Sequence, residues 1–239
     1  MKPQLLIFDL DGTLADTRAD LATAINLMRA HYGLPPLSMG KIESYVGEGI
    51  RVLVERSLQG ADIDVDEALA LDKKLYAEHM LDETVLYPGV ADGLKKLATA
   101  GHKLAVLTNK PSDPARAILN HLGVGDLFFR IIGGGDLPKL KPAPDGIFAL
   151  MKESGTQPED IWMLGDHHTD LEVAHNAGVK SGFVTYGIGH PGKFTADQVW
   201  NGFEELVGFF TANETLMNTN NCTLVGEAFI SVYSSPFAV

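Results

Sequence analysis

The sequence predicts an α/β protein with a doubly wound parallel-sheet (Rossmann-like) core and an inserted α-helical cap domain. Short apolar runs alternate with helical segments at the start of the chain and over residues 85–210, which is typical of parallel strands joined by crossover helices. Between these parts, residues 16–84 carry helical patterns without strand signals. Polar residues follow the apolar runs, at the strand ends where doubly wound sheets bind ligands.

The predicted strands are short and apolar. The first, Gln4–Phe8, is almost fully apolar and ends in Asp9, as expected of a buried parallel strand. The later strands are predicted at Lys103–Leu107, Arg130–Gly133, Ile161–Leu164 and Gly182–Thr185. Helices are predicted between them at Val90–Thr99, Pro114–Leu122, Ala143–Glu153 and Asp170–Ala177.

The insert is predicted to contain four helices. The first has one apolar face, the second is capped by Ser38, and the third and fourth each repeat apolar residues at helical spacing. The apolar face of the first helix consists of Leu21, Ala24, Ile25 and Met28. The third helix is marked by Ile50, Val54 and Leu58, and the fourth by Ala68, Leu71, Leu75 and His79.

Composition excludes several classes of protein. Of 239 residues 45% are hydrophobic, enough for a packed core, but no apolar run is long enough to span a membrane. The only cysteine, Cys222, excludes an internal disulfide, and we expect a cytoplasmic protein without a signal peptide. The net charge of −12 disfavours nucleic-acid and membrane partners, so an anionic substrate would need a metal ion or local cations.

The most specific segment is Phe8-Asp9-Leu10-Asp11-Gly12-Thr13-Leu14-Ala15-Asp16-Thr17. Two aspartates alone also occur in ordinary turns and helix caps. A calcium loop requires glycine at its sixth position, whereas Gly12 is fourth. The complete string resembles the first motif of the haloacid dehalogenase superfamily, whose commonest members are phosphatases.

This resemblance implies a covalent mechanism. Asp9 would attack phosphorus as the nucleophile, and Asp11 would act as general acid and then general base. Neighbouring carboxylates disfavour each other's ionisation, which helps one of them to retain a proton. Gly12 permits the turn that directs both towards one phosphate.

Two further motifs follow in the order expected for the superfamily. Thr108-Asn109-Lys110 ends a predicted strand, and Lys141 stands before Pro142 at the start of a helix. Without the resemblance, these would be a β-former, a polar turn and an exposed lysine. With it, Thr108 and Asn109 bind the phosphoryl group, and Lys141 neutralises Asp9 and the phosphoryl charge, although Lys139 lies close enough to replace it.

The fourth motif runs from Gly165 to Asp170. Mg²⁺ prefers oxygen ligands, and the resemblance implies that Asp9, the Asp11 carbonyl and Asp166 bind it. Asp170 is expected to cap the following helix, and it either binds the metal through water or orients the site.

Two other patterns are given less weight. His167-His168 resembles part of a zinc site, but adjacent residues rarely bind one metal and no third ligand is evident. The sequence from Gly187 to Gly192 matches the dinucleotide pattern G-x-G-x-x-G. Pro191 and the absence of a following βαβ unit favour a plain loop instead.

The resemblance divides the chain into three parts. Residues 1–15 and 85–210 form the predicted α/β hydrolase core, residues 16–84 the helical cap, and residues 211–239 a tail of unknown role. Four segments resemble phosphoglycolate phosphatases, which implies a small phosphorylated metabolite, 2-phosphoglycolate, as substrate. They are Val46–Ile50, Leu53–Leu58, Leu86–Val90 and Ile132–Asp136.

Gly49 and Arg51 are the predicted substrate contacts in the cap. Backbone N–H groups beside Gly49 would approach a small anion, and Arg51 would bind a carboxylate through two hydrogen bonds. Arg51 is also readily explained as a solvated surface charge.

Other functions remain open at this point. Sugar phosphates, nucleotides and pyrophosphate are alternative substrates. A β-phosphoglucomutase-like phosphotransferase usually carries Lys-Gly before the cap arginine, where this chain has Glu48-Gly49. A dehalogenase normally lacks the second aspartate, and a non-catalytic regulatory module would not need all four motifs.

Overall fold

The computed structural model describes residues 2–220, and of residues 213–220 it describes the backbone alone. The strands are β1 Leu5–Phe8, β2 Ala15–Asp16, β3 Val85–Leu86, β4 Lys103–Pro111, β5 Arg130–Gly134, β6 Ile161–Gly165, β7 Lys180–Val184 and β8 Gln198–Trp200. The α-helices are α1 Arg18–His31, α2 Met39–Glu43, α3 Ile50–Ser57, α4 Val65–His79, α5 Val90–Thr99, α6 Ser112–His121, α7 Asp145–Ser154, α8 His168–Ala177 and α9 Phe203–Asn220.

A six-stranded sheet forms the centre of the protein, in the order β5-β4-β1-β6-β7-β8. Every pairing in it is parallel. The predicted doubly wound α/β fold is confirmed, and the five predicted strands correspond to β1, β4, β5, β6 and β7. The order places β1 in the middle, between β4 and β6, so the residue after β1 lies between the ends of two neighbours.

The apolar character of β1 follows from its burial on both sides. Leu6 and Phe8 pack into one apolar cluster, while Leu5 and Ile7 pack into another on the opposite face of the sheet. All four side chains are fully buried. Since both faces are covered, the strand lacks the alternation of a half-exposed strand.

Helices α1 to α4 share a separate apolar cluster. The predicted face of α1 is buried there, and the Ser38 side chain accepts a hydrogen bond from the Lys41 N–H at the start of α2. The predicted face of α4 is rotated, because its buried positions are Ala68, Leu69, Asp72 and Tyr76. Leu71 and Leu75 are only partly buried. Two polar residues therefore occupy the inner side of α4.

The two ends of the helical segment meet in a short antiparallel pair, in which β2 lies beside β3. This pair, together with β8 and α9, is absent from the sequence prediction. Strands of two or three residues are too short for a periodic signal. The division into core and cap stays a prediction.

No helix in residues 2–220 is both long and apolar enough to cross a membrane. The first part of the predicted tail continues α9 as far as Asn220. The remainder, including Cys222 and the apolar stretch Leu224–Tyr233, lies outside the described residues.

Candidate active site

The ends of three adjacent strands bring the predicted motifs together. Asp9 directly follows β1, Thr108 lies in the last part of β4, and Asp166 directly follows β6. All three side chains are buried, and all three line one cavity at this edge of the sheet. The sequence prediction that these strand ends converge is therefore matched by the geometry.

An irregularity in β4 shapes the wall of this cavity. Leu107 pairs with Ile132 and Pro111 with Gly134, so β4 uses more residues than β5 over the same interval. Regular strands direct successive side chains to opposite faces, but a bulge interrupts that alternation. As a result, the consecutive residues Thr108, Asn109, Lys110 and Pro111 all line the cavity.

Lys141 is the counter-charge for Asp9. Its Nζ lies 3.0 Å from Asp9 Oδ1 and 2.6 Å from Asp170 Oδ1, and its side chain is 1% exposed. Burial disfavours the ammonium, but Asp170 and Asp9 outweigh this effect and raise the pKa of Lys141. Burial raises the pKa of Asp9 to about 6, although the positive charge of Lys141 acts to lower it. Lys139 is exposed.

Asp166 is held by donors that the sequence did not reveal. Its Oδ1 accepts a hydrogen bond of 2.7 Å from the Thr13 hydroxyl. Its Oδ2 accepts bonds of 2.9 Å from the backbone N–H groups of Ile188 and Gly189. The segment predicted as a plain loop is therefore part of the site. Burial, followed by the charges of Asp170 and Asp9, raises the pKa of Asp166 to about 7.

Gly12 is required by close packing as well as by its backbone conformation. Its φ is +83°, and a Cβ there would lie 2.2 Å from Asp166 Oδ2. Any side chain at this position would displace the carboxylate.

Asp170 lies in the first turn of α8 and forms a capping box with the N-cap residue, His167. Its Oδ2 accepts a hydrogen bond of 3.0 Å from the His167 N–H, while its Oδ1 faces Lys141. Its side chain is fully buried. The same carboxylate therefore caps the N-terminus of α8 and orients Lys141.

Asp11 is bound by two donors on a single oxygen. The Thr17 hydroxyl donates to Asp11 Oδ1 at 2.7 Å, and Lys110 Nζ donates to the same atom at 2.8 Å. Lys110 belongs to the Thr108-Asn109-Lys110 motif but is not among the predicted site residues. Its role depends on the β4 bulge, which has no sequence signal of its own.

The Asn109 amide is committed to protein partners. Its Nδ2 donates to the carbonyls of Gly47 and Lys141, both at 3.0 Å, and its Oδ1 accepts from the Lys141 N–H at 2.8 Å. Both amide hydrogens are therefore used, and Asn109 holds the Lys141 loop and the segment before α3 in place. This geometry differs from the predicted direct contact with substrate.

The two predicted cap contacts have different surroundings. Gly49 lines the cavity, with a φ of +95°. Arg51 is absent from the lining; its side chain is 53% exposed and pairs with Asp66 and Glu55. The structure does not bring Arg51 to the cavity, because it lies on the outer side of α3 with acidic partners of its own.

The acidic side chains form a group that fits a divalent cation. One carboxylate oxygen from each of Asp9, Asp166 and Asp170 lies within 4.8 Å of the others, and all three residues are buried. Among the side chains that the structure describes, these three alone form a group with such spacing, and neither His167 nor His168 belongs to it. Buried oxygen donors with excess negative charge match the preference of Mg²⁺.

Comparison with known proteins assigns the family. The model of the haloacid dehalogenase-like hydrolases matches residues 6–184, and the chain belongs to this family. Phosphoglycolate phosphatase 1 of Pseudomonas aeruginosa is 41% identical over 196 residues, covering 79% of this chain and 71% of that protein. The phosphoglycolate phosphatase of Chromobacterium violaceum is 38% identical over 205 residues, covering 83% and 92%.

A solved structure supports the same assignment. The crystal structure of a predicted phosphoglycolate phosphatase from Haemophilus somnus 129pt has a TM-score of 0.83 at 29% identity, covering 87% of this chain and 98% of that one. The resemblance stated from the sequence is confirmed, and so is the prediction of a hydrolase of the phosphatase class.

The site makes the stability of the metal-free protein depend on pH. Asp9 and Asp166 have pKa values raised from 3.8 to about 6 and about 7, so unfolding releases protons over this range. Stability should therefore fall as pH rises from 6.5 to 8, above the range in which the lowered pKa of His167, about 4, acts in the opposite direction. Urea unfolding in EDTA should show this loss, and Asp166→Asn should reduce it.

The control is Asp92→Asn, which makes the same chemical change at a side chain that is 83% exposed. It should leave the pH dependence unchanged. Equal slopes for Asp166→Asn and the unsubstituted protein would contradict the assignment of this loss to the buried carboxylates.

Proposed function

We propose that this chain is a Mg²⁺-dependent phosphatase that hydrolyses 2-phosphoglycolate through an aspartyl-phosphate on Asp9. One observation carries the proposal: Asp9 lies at the end of the central strand with Lys141 at 3.0 Å, inside a group of buried carboxylates. This environment suits a carboxylate nucleophile acting on a dianionic phosphate, because cations are available to offset the repulsion.

In the first step, an Asp9 oxygen attacks phosphorus as the bond to the ester oxygen breaks. Asp9 Oδ1 accepts a 2.7 Å hydrogen bond from the Leu10 N–H and faces Lys141, so Oδ2 is the oxygen available for attack. In the second step, water attacks the phosphorus, the bond to Asp9 breaks, and the carboxylate is regenerated with release of phosphate.

Asp11 is placed to transfer the proton in both steps. Because Thr17 and Lys110 both donate to Oδ1, the transferable proton belongs on Oδ2. From there it passes to the leaving ester oxygen, and the resulting carboxylate later removes a proton from the attacking water.

Asp9, Asp166 and the Asp11 carbonyl would hold the metal ion, and Asp170 would act by positioning Lys141. When bound, Mg²⁺ neutralises charge on the phosphoryl oxygens and the carboxylates. Lys141 supplies a second positive charge, and Thr108 offers its hydroxyl to a phosphoryl oxygen. Hydrogen bonds to Asp166 from Thr13 and the loop at Ile188 keep its carboxylate fixed.

Residues 16–84 would act as a cap that selects the leaving group. Leu53, Gly49 and Tyr76 from this segment line the same cavity as Asp9. Within this cavity, the centres of water-sized molecules can occupy a volume of about 50 Å³. So small a volume favours a small ester over a hexose phosphate. The names of the Pseudomonas and Chromobacterium relatives support phosphoglycolate as that ester.

Phosphate release from a panel of esters tests this function. With Mg²⁺, kcat/KM should be highest for 2-phosphoglycolate and at least about tenfold lower for glucose 6-phosphate and AMP, because a small cavity excludes larger leaving groups. Pyrophosphate, whose leaving group is also small, completes the panel. EDTA should abolish turnover and Mg²⁺ should restore it, whereas Ca²⁺ should support little turnover. Full activity in EDTA would contradict the metal dependence, and preference for a hexose phosphate would contradict the substrate.

Substitution of the two motif aspartates separates their roles. Asp9→Asn should remove nearly all turnover because an amide is a poor nucleophile. Asp11→Asn should lower kcat by about 10²–10⁴-fold through loss of proton transfer. Asp92→Asn, on an exposed surface, serves as the control for both. Substantial turnover by Asp9→Asn would rule out its role as nucleophile.

A further inference from the structure

Lys110 is a buried cation inside the cavity, and the proposed reaction steps give it a contact with Asp11 but none with the substrate. Its side chain is 3% exposed, and Nζ donates to Asp11 at 2.8 Å. The ammonium also lies 4.6 Å from the ring centre of Tyr76, which extends from α4. Lys110 therefore joins the proton-transfer residue at the sheet edge to the helical segment above it.

Two polar groups beside Lys110 make no hydrogen bond of ordinary geometry. The Tyr76 hydroxyl and Asp72 Oδ1 are both buried without a partner of ordinary geometry. Tyr76 is 3% exposed and lines the cavity, and Asp72 is 2% exposed. A buried donor without a partner costs free energy, so a hydroxyl beside an ammonium is arranged to bind an anionic oxygen.

The chemistry of the substrate places its carboxylate near these groups. In 2-phosphoglycolate one methylene separates the ester oxygen from the carboxyl carbon. Because Asp11 must reach the ester oxygen to protonate it, the carboxylate has to bind within a few ångströms of Asp11. Lys110 lies at this distance. Among the described residues that line the cavity, no other is a lysine or an arginine.

The other cationic candidates fit less well. Arg51 is absent from the lining and pairs with Asp66 and Glu55. His167 does line the cavity, but it is the N-cap residue of α8 beside Asp166, and its Nδ1 lies 3.0 Å from the Thr169 hydroxyl.

We propose that Lys110, together with the Tyr76 hydroxyl, forms the subsite for the carboxylate of the leaving group. This assignment rests on the proposed function and names the residues that select its substrate. Lys110 is thus a specificity residue, and it replaces the predicted Arg51 in that role.

The charges around Lys110 support this subsite. When Asp11 carries the proton that it donates, its carboxyl no longer neutralises the ammonium. Burial raises the pKa of Asp72 to about 7, although the positive charge of Lys110 acts to lower it. At neutral pH, Asp72 is therefore only partly ionised and only partly neutralises Lys110. An anionic leaving group completes the neutralisation, whereas an uncharged one leaves a buried ammonium incompletely paired.

The test compares two esters that differ in this carboxylate alone. We define the selectivity ratio as kcat/KM for 2-phosphoglycolate divided by kcat/KM for ethyl phosphate, measured with saturating Mg²⁺. Any effect of Lys110 on proton transfer by Asp11 acts on both esters and cancels in the ratio. Lys110→Met should lower the selectivity ratio by about 10- to 10²-fold, as expected for loss of a charged hydrogen bond.

Two further variants complete the experiment. Tyr76→Phe removes only the unpartnered hydroxyl, so it should fold normally and lower the selectivity ratio several-fold. Lys74→Met removes the same charge from an exposed position on α4 and should leave the ratio unchanged. An unchanged ratio in Lys110→Met would overturn the inference, and if that variant fails to fold, an unchanged ratio in Tyr76→Phe would overturn it.

Failure of the proposed function gives a different result. A selectivity ratio near one in the unsubstituted protein would contradict phosphoglycolate as substrate and the subsite together. A high ratio that survives the substitutions would contradict the subsite alone.

Discussion

The site depends on one electrostatic constraint: several buried carboxylates have to be held together around a single ammonium. Lys141 contacts Asp9 and Asp170, while Asp166 lies within reach of the same group. Burial without full compensation disfavours ionised carboxylates, as the raised pKa values of Asp9 and Asp166 record. The proposed divalent cation would relieve this repulsion and would link the stability of the fold to the chemistry of the site.

The surrounding structure is arranged to keep these charges in place. The Thr13 hydroxyl and two loop N–H groups bind Asp166, and the start of α8 donates to Asp170. Asn109 holds the backbone of Lys141 and, through the carbonyl of Gly47, the helical segment as well. The segment proposed to contact the leaving group is thereby positioned by the same residues that position the charge.

The sequence predicts the parts of the site that lie directly at strand ends. Asp9 and Asp166 follow apolar runs whose burial on two faces produces a clear signal, and parallel pairing brings such ends together. Lys110 is different, because its direction depends on the β4 bulge, and bulges arise from pairing between distant strands. The hydrogen bonds from Ile188 and Gly189 to Asp166 involve backbone groups, which leave no mark in a sequence.

Arg51 illustrates a further limit of sequence reasoning. Its distance along the chain from Gly49 places it near the site, but the orientation of α3 turns it towards Asp66 instead. Similarly, the apolar pattern of α4 identifies only part of its inner side, because Asp72 and Tyr76 are buried there as well. Polar residues directed towards a cavity oppose the pattern by which helix faces are recognised.

The most direct test of the central claim, covalent catalysis by Asp9, is isotope transfer under single-turnover conditions. Excess enzyme should be mixed with 2-phosphoglycolate and Mg²⁺ in ¹⁸O-water, and the peptide that contains Asp9 should then be weighed by mass spectrometry. When an aspartyl-phosphate is hydrolysed, the ¹⁸O enters phosphate if water attacks phosphorus, and it enters the Asp9 carboxylate if water attacks carbon. Since the water is expected to attack phosphorus, the account predicts that phosphate from the first turnover carries one ¹⁸O and that acid-quenched enzyme carries a phosphoryl group on the Asp9 peptide. Labelled phosphate released without any phosphorylated Asp9 peptide during turnover would contradict it.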